Sequence, residues 1–175
     1  PAVVWTIGHS NSEWEDFVKL LTEHQVGLVV DVRKLPGSRK FPHFNADAME
    51  TGLAERGIGY LHAPELGGRR RPAADSPNGG WENASFQAFA DYMLTEEFAA
   101  ALEGLLARID RQRAALMCAE AVPWRCHRNL IADALVVRGI RVEHILSGQS
   151  TRPHVLNPMA RVSGTRITYP PTMLF

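Results

Sequence analysis

Both cysteines of the chain lie in one stretch, CAEAVPWRCHR, which occupies residues 118–128. Cys118 ends an apolar run, whereas Cys126 stands in the predicted first turn of a helix. A thiol at a helix N-terminus near cations has a lowered pKa and is more often a thiolate. His127 and Arg128 provide such cations, so the sequence predicts that Cys126 is the more reactive thiol, as nucleophile or ligand. Desolvation at the end of an apolar strand should disfavour the thiolate of Cys118.

Three alternatives remain open for the same stretch. In a phosphate-cradling cysteine loop, Cys118 and Arg125 would flank backbone amides, but Glu120 would repel phosphate and Pro123 lacks an amide donor. A reversible dithiol needs alpha carbons within about 7 Å of each other, and the spacing differs from that of common redox motifs. A metal site would use thiol and imidazole ligands, which here are His9, His62, Cys118, Cys126 and His127. No other cofactor is predicted.

These residues need a scaffold, and the pattern of apolar runs predicts one. Short β-rich runs alternate with helical patterns, which is typical of a parallel sheet covered by helices. We therefore predict a single α/β domain over residues 1–175, with a mainly parallel sheet of about five strands in a Rossmann-like three-layer arrangement. The predicted strands are residues 3–7, 28–32, 58–62, 114–118 and 142–146.

Helical periodicity and capping residues predict the helices. Ser12 and Glu15 have the spacing of a capping box, and Gly57 suits a left-handed C-terminal cap. The predicted helices run from Ser12 to near Gly27, from Asn45 to Gly57, over 85–110 with a break near Leu94–Thr95, and from near Cys126 to before Gly139.

Two segments lack this periodicity. Residues 64–84 are basic and rich in glycine and proline, which predicts a mobile loop or lid. The tail, residues 148–175, has little periodicity and is predicted to wrap irregularly over the surface.

Polar groups follow four of the five predicted strands. The carboxyl ends of parallel strands meet at one edge of a sheet, and ligands bind outside that edge. We therefore expect these groups to converge on one site. They are His9, Ser10 and Asn11 after the first strand, Asp31 and Arg33 after the second, His62 after the third, and Cys118 with Glu120 after the fourth.

The converging groups predict an active site for an anion. Guanidinium groups bind phosphate bidentately, and free amides at a helix start also receive anions. Asp31 or Glu120 would be a general acid or base, and His9 would contribute to the chemistry. Plainer interpretations stay open: Asp31 and Arg33 as an internal ion pair, and Ser10 as a turn residue. The predicted anion-binding residues are Arg33, Arg39, Arg69, Arg128, Ser10 and Asn11.

Four motifs in order also resemble a known family. They are GHSN at 8–11, DVRKLPGSR at 31–39, ELGGRR at 65–70 and CAEAVPWRCHR at 118–128. Together they resemble the bacterial family catalogued as domain of unknown function 488, over nearly the whole chain to about Leu146. The resemblance implies the α/β fold and the importance of these motifs, and it implies no particular reaction.

Charge and hydropathy narrow the class of protein. Acidic and basic side chains balance at 19 each, which gives no reason to expect non-specific binding to nucleic acid or a membrane. No apolar run approaches the ~20 residues needed to span a bilayer, so a cytoplasmic protein is expected. The sequence does not indicate its oligomeric state.

The functional hypothesis is that the protein is an enzyme that acts on a nucleotide or another phosphate-bearing compound, and its reaction type is left open. The rival is a nucleic-acid-binding module that uses the basic loop with Trp81 and Trp124.

Overall fold

The computed structural model describes residues 2–37, 39–68, 71–148 and 150–172. The predicted anion-binding residue Arg69 lies outside the described residues. The strands are β1 Val3–Gly8, β2 Leu28–Asp31, β3 Gly59–His62, β4 Ala114–Cys118, β5 Arg141–Ser147, β6 Ser150–Pro153, β7 Arg161–Ser163 and β8 Arg166–Thr168. The α-helices are α1 Trp14–Glu23, α2 Ala46–Ala54, α3 Ala84–Tyr92, α4 Glu96–Ile109 and α5 Arg128–Val136. Short 3-10 helices occupy Pro42–Phe44, Pro64–Leu66 and Pro123–Arg125.

The predicted α/β fold is confirmed. The main sheet has the order β3-β2-β4-β1-β5-β6, with parallel pairing among its first five strands and antiparallel β6 at one edge. Side chains alternate along each strand between two faces. Val30 and Leu116 pack on the face covered by α3, α4 and α5, while Val29 and Met117 pack on the face covered by α1 and α2. The domain therefore has three layers in a Rossmann-like arrangement.

The helix starts differ from the predicted ones in two places. The predicted capping box at Ser12 and Glu15 does not form: α1 is capped by the backbone of Glu13 without a side-chain hydrogen bond. The amide of Ser12 instead donates to the carbonyl of His9, which closes the turn after β1. Cys126 is not in the first turn of α5, because Pro123 opens a 3-10 turn that ends at Cys126 in an extended conformation.

Other helix predictions are confirmed. Asn45 precedes α2, and Gly57 has a φ of +72°, the left-handed conformation that glycine adopts without strain. The break near Leu94–Thr95 separates α3 from α4. Thr95 caps α4 there, because its hydroxyl accepts from the amide of Phe98.

The segments predicted to be irregular are held by specific contacts. Asp91 of α3 accepts hydrogen bonds from the amide of Ala73, the hydroxyl of Ser76 and the side-chain amide of Asn78. These bonds pin the described residues of the predicted lid. The tail contains β6 and the β7–β8 hairpin, and it buries Tyr169 in the core, so it is more than a surface wrap.

Candidate functional site

The predicted convergence at one sheet edge is confirmed for the ends of four strands. Asp31 is in register with His62 on one side and with Met117 on the other, and Gly8 is in register with Cys118. A cleft of about 880 Å³ opens at this edge. Both cysteines line it.

The two thiols lie side by side at the base of this cleft. Both are nearly buried, with Cys118 only 3% exposed. The Nη1 of Arg128 donates to the sulfur of Cys118, and the backbone amide of Arg128 donates to the sulfur of Cys126 over 3.4 Å. One arginine therefore contacts both sulfur atoms.

These contacts reverse the predicted order of thiol acidity. Burial alone would raise the pKa of Cys118, but the hydrogen bond from Cys126 and the positive charge of Arg128 lower it to about 7. The pKa of Cys126 is raised, because its thiol donates to Cys118 and because it is desolvated. The sequence placed Cys126 on a helix N-terminus and could not show that a buried guanidinium reaches Cys118.

His127 completes the contacts of the thiol pair. Its Nδ1 lies 3.6 Å from the sulfur of Cys126, and its Nε2 lies 2.9 Å from the carbonyl oxygen of Leu66. A carbonyl can only accept, so in the neutral ring Nε2 carries the proton and Nδ1 has a lone pair directed at Cys126. That lone pair can receive the proton of the Cys126 thiol.

The loop after Cys118 approaches β1 closely because Gly8 has no side chain. A Cβ at Gly8 would stand 1.8 Å from the carbonyl oxygen of Glu120. That oxygen accepts from Nη1 of Arg128 over 2.6 Å. In the described ranges no protein group accepts from the backbone amides of Ala119, Glu120 or Ala121, three residues that line the cleft. Free amides beside a thiol are suited to an anionic ligand.

Asp31 and Arg33 form the internal ion pair that the sequence left open. The guanidinium of Arg33 donates two hydrogen bonds to the carboxylate of Asp31, from Nε to Oδ1 over 2.9 Å and from Nη2 to Oδ2 over 2.7 Å. Asp31 is fully buried and also accepts from the hydroxyl of Tyr60, so the pKa of Tyr60 is raised by burial and by this carboxylate. Asp31 does not line the cleft; it holds Arg33, which does.

His9 lies between this ion pair and the cleft. Its Nδ1 lies 2.8 Å from the carbonyl of Ser10, and its Nε2 accepts from Nη1 of Arg33 over 3.3 Å. Burial lowers its pKa, and its ring stacks on Phe44. His9 is therefore held neutral, with its lone pair facing a guanidinium.

The remaining predicted site residues divide into two groups. Ser10, Asn11 and Glu120 line the cleft. Arg128 does not line the cleft, because it is fully buried. Its guanidinium donates to Thr6, Cys118 and the carbonyls of Glu120 and Ala121. It therefore has no free edge to bind an anion bidentately. The Nε2 of His62 donates to the backbone carbonyl of Arg33, and Arg39 is exposed outside the cleft lining.

Two cations of the cleft, Lys34 and Arg125, were not among the predicted anion-binding residues. Their signal in the sequence was their position, Lys34 shortly after β2 and Arg125 directly before Cys126. Trp81, predicted to contact bases in the rival hypothesis, instead packs against Phe86 and Tyr169.

The five candidate metal ligands of the open alternative do not form one group. Among the residues that the structure describes, no three histidine, cysteine, aspartate or glutamate side chains are grouped to hold a metal ion. The ring nitrogens of His9 and His62 are engaged by the backbone and by Arg33. The alternative of a metal site therefore lacks support.

The fold and the site define a class of protein: an α/β domain with a cysteine-containing cleft at the carboxyl ends of its strands. Residues 13–135 match the family described as Domain of unknown function DUF488, which covers more than half of the chain. The chain belongs to this family, as its motifs indicated. No curated protein and no solved structure shows significant similarity to it. None of the described helices is long and apolar enough to cross a membrane.

Proposed function

We propose that the protein is an enzyme that binds an anionic substrate in this cleft and attacks it with the thiolate of Cys118. One observation carries the proposal: the sulfur of Cys118 contacts the guanidinium of the buried Arg128 at the base of an open cleft. A thiolate is the nucleophilic form of cysteine, and a neighbouring cation favours it. The catalytic role proposed from the sequence for Cys126 moves to its neighbour.

Cys126 supports this assignment, because its thiol next to Cys118 stabilises a negative charge on that sulfur. Glu120 lines the cleft and is the carboxyl group available to a leaving group as general acid or base. Asp31 acts through Arg33.

The charge of the cleft supports an anionic substrate. Arg33, Lys34, Lys40 and Arg125 line it together with the free amides of 119–121, and Glu120 is the one carboxylate among its described lining residues. A phosphate group is the kind of ligand that such amides and cations bind. We propose a nucleotide or another phosphate-bearing compound as the substrate class.

A pair of alkylating reagents tests the charge and the thiol together. Iodoacetate and iodoacetamide present the same reacting carbon, but only the first is anionic. The rate of modification of each cysteine is followed by mass spectrometry from pH 5 to 9. We expect Cys118 to react first, with an apparent pKa near 7, and to prefer iodoacetate. Faster reaction of Cys126, or an ordinary thiol pKa for Cys118, would overturn the assignment.

Matched variants separate the cleft charge from general charge. A unit charge about 4 Å from the reagent carboxylate contributes about 1 kcal/mol in water, so Lys40→Gln or Arg125→Gln should lower the preference for iodoacetate about fivefold. Lys19→Gln is the control, because Lys19 lies on α1 with its side chain 73% exposed. Equal effects of all three variants would refute a local anion site.

Protection by ligands then addresses the substrate class. Inorganic phosphate and a nucleoside monophosphate are added during alkylation of Cys118. Protection by the nucleotide at lower concentration than phosphate supports a nucleotide site. Protection by single-stranded DNA that disappears steeply with salt would instead favour the nucleic-acid-binding alternative.

A further inference from the structure

A chain of buried hydrogen bonds leads from Cys118, through Arg128, to Asp133 on α5. The Nε of Arg128 donates to the hydroxyl of Thr6 over 3.2 Å, and this hydroxyl lies 2.6 Å from Nδ1 of His144. The Nε2 of His144 lies 2.9 Å from Nδ1 of His154, whose Nε2 lies 2.7 Å from the carboxylate of Asp133. Thr6, Asp133 and the side chain of His154 are all at most 3% exposed.

The ends of this chain determine its direction. Arg128 can only donate, and the ionised carboxylate of Asp133 can only accept. The Thr6 hydroxyl accepts from Arg128 and directs its own proton at Nδ1 of His144. His144 then donates from Nε2 to Nδ1 of His154, whose Nε2 donates to Asp133. Every bond points from Arg128 toward Asp133, and both rings carry a proton on Nε2.

The surroundings keep this arrangement. Burial lowers the pKa of His144 to about 3, and the nearby His154, Arg128 and cross-strand Arg152 would each oppose a positive charge on its ring. Asp133 also accepts from the hydroxyl of Tyr169 and from the side-chain and backbone amides of Asn157. A fully satisfied carboxylate of this kind fixes the end of the chain.

We propose that Thr6, His144, His154 and Asp133 are positioning residues that hold the guanidinium of Arg128 against the sulfur of Cys118. The inference rests on the proposed function, since it assigns these residues to the acidity of the catalytic thiol. The guanidinium is planar and rigid, so the bond from Nε to Thr6 fixes the orientation in which Nη1 contacts Cys118. The carbonyls of Glu120 and Ala121 hold the Nη1 and Nη2 side of the same group, and Thr6 holds its Nε edge.

A matched pair of substitutions tests the first link. Thr6→Val has nearly the same shape but no hydroxyl, whereas Thr6→Ser keeps the hydroxyl. The pH dependence of Cys118 alkylation is measured for both. We expect the apparent pKa of Cys118 to rise by about one pH unit in Thr6→Val and to stay within a few tenths of the wild-type value in Thr6→Ser. A Thr6→Val profile that overlays the wild-type profile would overturn the inference.

The far end of the hydrogen-bond chain is tested by the substitution His154→Gln, because His154 contacts neither Arg128 nor Cys118. A rise in the apparent pKa of Cys118 is expected here as well, with no change in the sulfur's own neighbours. Nitrogen-15 spectra of the histidine rings in the unaltered protein give an independent readout: both His144 and His154 should carry the proton on Nε2. A proton on Nδ1 of either ring would refute the direction of the chain even if a variant failed to fold.

The two proposals fail in different ways. If Cys118 of the unaltered protein has an ordinary thiol pKa, the proposed function is wrong. If its pKa is low and neither Thr6→Val nor His154→Gln changes it, only the positioning role is wrong.

Discussion

Replacing Gly8 with alanine tests how closely the cysteine loop approaches the sheet. The added Cβ would stand 1.8 Å from the carbonyl oxygen of Glu120 and 2.8 Å from Cα of Ala121, and both are backbone atoms that no rotamer change can move. Contacts below 3.0 Å are essentially never seen for a real Cβ, so the loop must retreat by about 1.2 Å in a close-packed interior.

The cost follows from what the loop contacts. Because the displaced carbonyl of Glu120 also accepts from Nη1 of Arg128 over 2.6 Å, a shift of about 1.2 Å disrupts this hydrogen bond. Loss of a hydrogen bond to a charged group costs about 1.5–3 kcal/mol, and overpacking costs about 1–3 kcal/mol. We expect Gly8→Ala to lower the free energy of unfolding by about 3 kcal/mol and to slow alkylation of Cys118 at pH 7.

Urea denaturation measures the first effect and mass spectrometry the second. Gly104→Ala is the control, because Gly104 lies on the exposed face of α4 with nothing within 4 Å of an added Cβ. That substitution should raise the free energy of unfolding by about 0.5–1 kcal/mol. If Gly8→Ala is as stable as the unaltered protein and its Cys118 reacts at the same rate, the close approach of the loop is wrong.

Three further outcomes are expected. Mild oxidation should join Cys118 to Cys126, since a thiolate already contacts its partner thiol; intact mass should fall by two hydrogens, and a mixture of sulfinic acids without a disulfide would contradict this. In the unfolded chain His144 takes up a proton below a pKa of about 6.5, whereas in the folded protein its pKa is about 3. Between these pH values the unfolded state binds the extra proton. The free energy of unfolding should therefore fall by up to ~1.4 kcal/mol per pH unit as the pH is lowered. His144→Gln should show a shallower loss in urea titrations, and an equal slope would exclude His144 as its source. Asp91→Ala should speed proteolytic cleavage within residues 71–83, because three hydrogen bonds that hold this segment are lost; an unchanged cleavage pattern would show that other contacts hold it.

The sequence predicted the central strands well because they are buried on both faces. β2 and β4 are buried throughout and, apart from Asp31 at the end of β2, apolar, so they form nearly uninterrupted apolar runs. The strands β6, β7 and β8 were missed because they have three or four residues and are mostly exposed. They have no hydrophobic period to detect.

The site was predictable in position but not in its internal contacts. Spacing along β2 already suggested that Asp31 and Arg33 share a side, and the structure shows them paired. Arg128, by contrast, looked like a cation at a helix start, and only the fold shows its side chain turned inward to Cys118. Thr6 and His144 resembled ordinary strand residues, because a hydrogen-bond partner more than a hundred positions away leaves no local trace.

The central place of β1 has a consequence for how the chain folds. Trp5 pairs with Ala115 and Val4 with Val142, at separations of 110 and 138 residues. Strand pairings between residues so far apart in sequence slow folding, because the entropy of the intervening chain is lost before the stabilising contacts form. During synthesis β1 leaves the ribosome long before either neighbour, and Val4 and Ile7, both buried in the native protein, stay uncovered until β4 follows. A chain stalled before residue 114 therefore carries an unpaired apolar strand, the kind of segment that chaperones for nascent chains bind.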